Sequence, residues 1–85
     1  MKFLVITKVF ETIHNSSDLK RQEVLVREQI QKIMDSGKLI DGGQFADARG
    51  HFFLVDIDKE KELLELLGRG ILDACNVESH PIISF

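Results

Sequence analysis

The chain has 85 residues, 44% of them apolar, 29% charged and only one a proline, which describes a single compact domain over 1–85 and excludes a multidomain enzyme, a disordered tail or a collagen-like repeat. Folding at this size hides only about 60% of the surface the unfolded chain exposes, so a lone monomer has little stability in reserve. Eleven Lys and Arg against fourteen Asp and Glu leave a net charge of −3, the wrong sign for nucleic acid or an anionic membrane, and neither partner is expected.

The first element is Phe3-Leu4-Val5-Ile6-Thr7-Lys8-Val9-Phe10, short, rich in β-branched and aromatic residues, and closed by the polar run His14-Asn15-Ser16-Ser17; it predicts a strand. Ser16, Ser17 or Asp18 can cap a helix over 18–36, where Leu19, Val26, Ile30, Ile33 and Met34 recur at helical spacing and Gly37 supplies the stop. Lys38 to Ala46 is a weaker strand whose Gly42-Gly43 pair marks a bulge or a close backbone approach. The turn Asp47-Ala48-Arg49-Gly50, with Gly50 placed for a positive φ, leads into the strongest strand, His51 to Ile57, so these two strands form a hairpin.

Asp58 is placed to cap a second helix, with Glu60 and Glu62 in its first turn and Leu63, Leu64, Leu66 and Leu67 facing inward. Gly68-Arg69-Gly70 interrupts it, and Ile71 to Cys75 adds a turn or a short helix. Cys75, the one cysteine, cannot form an internal disulfide and packs best as a small apolar residue. With no cationic leader and no apolar stretch near about eighteen residues, the expectation is a reduced, cytoplasmic protein. The chain closes with Val77 to Phe85, an extended segment whose Pro81 fits an edge strand or a bulge.

The order β-α-β-β-α-β with right-handed crossovers gives a split βαβ arrangement of the α+β class: a four-stranded antiparallel sheet, order 4-1-3-2, with both helices on one face. Phe3, Val5, Val9, Phe53, Val55, Ile57, Ile83 and Phe85 have the parity with fewest charges and are assigned to the helix-covered face. The opposite face then carries Leu4, Ile6, Phe10, Phe52, Leu54 and Ile82, which the helices cannot reach. Leaving them in water forgoes on the order of 10 kcal/mol, comparable to the stability of a domain this small, so another subunit is expected to cover them. The alternative is an ordinary half-exposed sheet.

The same face holds Lys8, Asp56, Glu78 and His80 among its apolar residues, the texture of a small-molecule pocket. If Phe3 pairs with Phe85, Lys8 lies opposite His80 and Phe10 opposite Glu78, about 5 Å apart. A cation beside an imidazole favours the neutral ring, a candidate general base; equally, Lys8 can snorkel to the rim and His80 hydrogen-bond at a subunit seam. Glu11, His14, His51 and Glu78 fall toward one end of the sheet and could together ligate Zn²⁺. They come from separate strands without His-x-His or Glu-x-x-His spacing, so they are better read as solvated residues, and no metal or cofactor is expected. The glycine pairs match neither dinucleotide nor phosphate-loop patterns, Asp56 to Glu62 lacks the glycine and terminal glutamate of an EF-hand, and no nucleophile elbow occurs.

The opening Met1 to Ile6, the join Asp35-Ser36-Gly37-Lys38-Leu39-Ile40-Asp41-Gly42-Gly43 and the ending Asn76-Val77-Glu78-Ser79-His80-Pro81-Ile82 resemble the dimeric α/β barrel superfamily, most of all muconolactone isomerase-like and YciI-like proteins. The resemblance covers nearly the whole chain. It implies a ferredoxin-like subunit whose sheet packs on that of a second subunit, as a homodimer or a higher homo-oligomer, and a small organic molecule held between sheet and helices or at the barrel mouth. The helix-one His and the Asp-Pro pair associated with YciI-like proteins are absent, the matching stretches reading Arg27-Glu28-Gln29-Ile30 and Leu67-Gly68-Arg69-Gly70, so that dyad does not carry over. What remains is isomerase-like proton transfer on a small lactone or carbonyl metabolite, with His80 as proton carrier, Glu78 or Lys8 its electrostatic partner, and Leu4, Ile6, Phe10, Phe52 and Leu54 the apolar wall. The rival expectation is a non-catalytic module for ligand sensing or assembly; a cofactor-independent monooxygenase or haem-handling barrel is disfavoured by the absence of Trp and Tyr.

Overall fold

The computed structural model describes residues 1–10 and 16–85, with side chains in the first helix from Lys20 onward. The capping expectation for Ser16 to Asp18, the inward place of Leu19, and Glu11 and His14 lie outside the described residues. The elements are β1 (Lys2–Val9), α1 (Ser16–Asp35), β2 (Leu39–Gln44), β3 (Gly50–Asp56), α2 (Lys61–Leu72) and β4 (Cys75–Ile82). All strand pairs are antiparallel in the order β2-β3-β1-β4, the ferredoxin-like α+β arrangement that the alternation of patterns predicts. No helix among the described residues is long and apolar enough to cross a membrane.

Register places the two parities on opposite faces. Phe3 pairs with Val55 and Val5 with Phe53, and these four meet Val26 and Ile33 of α1 and Leu63, Leu67 and Ile71 of α2 in one buried core. Both helices therefore lie on the face that the charge-poor parity marks out. Thr7 shares that face, 1% exposed, its hydroxyl donating to the His51 carbonyl at 3.4 Å. Cys75 is buried, and burial pushes its thiol pKa up, as for a packing residue. Four inward assignments fail. Met34 and Leu64 are 56% and 60% exposed because they sit on the flanks of their helices, off the core-facing stripe. Ile83 and Phe85 are exposed because β4 ends at Ile82.

The element ends have local causes. Gly37, φ +76°, follows the last turn of α1 as a left-handed stop, and the Ser36 hydroxyl donates to the Ile33 carbonyl at 2.6 Å. Gly68, φ 65° and ψ 175°, breaks α2 where the sequence predicts an interruption, and one further turn brings in Ile71. Asp58 does not cap α2; the cap is Glu60, whose side chain makes no capping bond among the described residues. The β2 bulge falls at Ile40, between Leu39 and Asp41, while Gly42 and Gly43 are the close approach: a Cβ on Gly43 would stand 2.8 Å from the Phe52 ring. Gly50 does not have a positive φ. A glycine is required there for space, since a Cβ would collide with the Thr7 carbonyl on the neighbouring strand.

Candidate functional site

A cleft of about 590 Å³ opens between α1 and the β2–β3 side of the sheet. Helical spacing sets Gln22, Val26, Ile30 and Met34 along one stripe of its wall, with Glu23 and Arg27 beside them. The opposite wall comes from Val9, Leu39, Gln44, His51 and Phe53. Gln44 reaches it because the bulge at Ile40 shifts the parity of β2, so that Gly42 pairs with Phe53 and Gln44 with His51 on the helix-covered face. Size and lining, an apolar body with a few convergent polar groups, are those of a small-molecule site.

His51 is the titratable group best placed in it. Its ring stacks on Phe53 at 6.2 Å between centroids, and burial lowers its pKa below the usual 6.5, so the ring is neutral at pH 7. Its Nδ1 and Gln22 Oε1 are both buried without a hydrogen-bond partner among the described residues. A buried group left so costs about 1–3 kcal/mol. At the mouth the Arg49 guanidinium donates to Glu23 Oε1 at 3.2 Å, linking the hairpin turn to α1.

The depressed pKa has a sign that can be checked. Below pH 6.5 the unfolded chain takes up a proton at position 51 that the folded chain resists, so stability falls with falling pH until the folded pKa is passed, and is unaffected above 6.5. A His51→Gln variant is therefore expected to lose less stability than the parent in urea titrations taken from pH 7 down to about pH 5.

The residues expected to carry chemistry lie on the other face. Leu4, Ile6, Lys8, Phe52, Leu54, Glu78, His80 and Ile82 share it, as their even parity predicts, and Phe10 is half-buried just beyond β1. The predicted register is four residues out. β4 begins at Cys75, where the chain leaves α2 after one short turn, so Leu4 pairs with His80, Ile6 with Glu78 and Lys8 with Asn76. A shift by an even number keeps every side chain on its face, but Lys8 is separated from His80 by about 13 Å of strand. The neighbour of His80 is instead Glu78, with Nε2 and Oε2 3.2 Å apart and both side chains more than half exposed. Phe52 is covered in part by its own chain, its ring 6.4 Å from that of Phe45. Of the four residues grouped as possible metal ligands, the two described ones lie apart, His51 pairing with Thr7 on the helix-covered face and Glu78 with Ile6 on the open one. No three His, Cys, Asp or Glu side chains converge on a metal-sized site among the described residues.

The signal for the cleft was present in the residues. The parity that sends Phe53 and Val55 inward sends His51 with them, and Gln22 continues the stripe of Val26 and Ile30 with a polar end. No family model matches the chain, and no curated protein matches it.

Proposed function

We propose that this chain binds a small hydrophobic or carbonyl-containing metabolite in the cleft between α1 and the sheet, and moves a proton on it with His51 in the manner of an isomerase, without a cofactor. The observation that carries this is the pairing of a 590 Å³ cleft with a neutral, half-buried imidazole in its wall. A base must lie within reach of the ligand, and His51 stands in the cleft wall where His80 lies on the opposite face of the sheet. The segments that resemble muconolactone isomerase-like and YciI-like proteins support a cleft of this kind in a homodimer or higher homo-oligomer.

The test uses a panel of small lactones, ketones and enol acids in D₂O, with loss of the hydrogen next to the carbonyl followed by NMR. The protein is expected to accelerate exchange for at least one compound, His51→Ala to abolish it, and His80→Ala to retain it. Loss in His80→Ala alone transfers the proton carrier to the open face. Binding in the cleft without exchange of any compound makes the protein a ligand-sensing module.

The open face supports the oligomeric part. Leu4, Ile6, Leu54 and Ile82 are only half-buried there and contiguous through the register, with both helices on the other side. Closing that face against a second copy removes apolar surface worth roughly 25 cal/mol per Å². A particle of at least twice 9.7 kDa is expected by light scattering at micromolar concentration, and Leu54→Glu, which places a carboxylate at the middle of the seam, is expected to dissociate it while leaving the helix signal in circular dichroism unchanged.

A further inference from the structure

Among the described residues, the charge at the cleft mouth has the opposite sign to the charge of the chain. Against a net −3 overall, the described residues that line the cleft include Arg27 and Arg49, with Glu23 the one carboxylate among them, an excess of one positive charge within that set. Arg27 and Glu23 stand one helical turn apart on α1, and Arg49 reaches across from the turn between β2 and β3. Arg49 and Glu23 are each more than half exposed, and the contact between them, from Nη2 to Oε1, engages one nitrogen of the guanidinium fork among the described residues. An exposed pair of this kind is weakly held, so it can open for a better partner. Behind it the walls are apolar: Val9, Val26, Ile30 and Phe53.

Resting on the cleft being a ligand site, we propose that it takes a small monocarboxylic acid with an apolar body, whose carboxylate replaces that of Glu23 on Arg49 while Arg27 adds a second positive charge. Glu23 is then an internal competitor for the ligand. The guanidinium fork binds a carboxylate through two parallel N–H···O bonds, and the exchange leaves the exposed Glu23 carboxylate to solvent at the mouth. The apolar body of the acid covers the rings of Phe53 and His51.

The experiment compares phenylacetate with its neutral isostere phenylacetamide by amide chemical-shift titration of the full chain. Phenylacetate is expected to shift the signals of Arg27, Ile30, Arg49 and Phe53 and to bind about tenfold more tightly than the amide, the worth of a charge-assisted contact. Glu23→Gln is expected to tighten phenylacetate about threefold, the worth of an exposed ion pair, and to leave phenylacetamide unchanged. Arg49→Gln is expected to remove the preference for the acid. Equal affinity for acid and amide within the cleft, or a weakening of phenylacetate by Glu23→Gln, overturns the ligand class and leaves the cleft as a binding site. Absence of cleft shifts with either compound overturns the proposal as well, and the lactone and ketone panel then decides separately whether the cleft binds anything.

Discussion

Gly50→Ala is expected to cost more than about 3 kcal/mol and to leave little folded protein at 37 °C, since a domain of this size has only about 5–15 kcal/mol to lose. The added Cβ meets the Thr7 carbonyl, part of the backbone of the central strand, and the Phe45 ring at 3.1 Å. A flexible side chain can move aside, but a carbonyl held in the β1–β3 ladder cannot, so the ladder itself must open. Gly37→Ala is the informative control: a Cβ there meets nothing within 4 Å, so only the left-handed φ of +76° is penalised, about 1 kcal/mol. Urea midpoints of the two variants separate collision from conformation. Similar losses for both would show that the β1–β3 spacing yields.

Ile33→Ala is the second large effect, at about 2–5 kcal/mol. Ile33 is 0% exposed, and it lies in the one core that α1 shares with α2 and the sheet. Truncation leaves a void among side chains held by both helices and by β1 and β3, which puts the cost toward the upper end. Met34→Ala, one residue along and 56% exposed, is expected to change stability by less than about 0.5 kcal/mol. Thermal melts should therefore differ by about 10 °C or more between neighbouring positions in one helix. Because Ile33 packs behind the cleft rather than in it, phenylacetate should still bind the variant at temperatures where it is folded.

The topology and the two-faced sheet were legible in the order of patterns, because period-2 and period-3.6 spacing are imposed by backbone geometry and survive any detail of packing. Register was not. Nothing in Val77 to Phe85 distinguishes pairing Phe3 with Phe85 from pairing it with Pro81; that choice was made upstream, by the break at Gly68 and the single turn that delivers the chain into β4 already at Cys75. The even shift preserved the face of His80 and Glu78 while moving Lys8 away from them. The cleft was half-legible. His51 has the parity of the buried phenylalanine two residues on, but Gln44 and Arg49 reach the site only through a bulge and a turn, and a bulge that flips parity leaves no periodic trace in a strand as glycine-rich as β2.

The two edge strands are poor templates for strand addition. β2 is kinked at Ile40 and presents Asp41 and two glycines, while β4 carries Pro81, which has no N–H to donate to a newcomer. Growth sideways, ribbon by ribbon into a fibre, is thereby discouraged. Aggregation pathways in this chain should therefore begin from partial unfolding that frees β1 or β3, which have a neighbouring strand on both flanks.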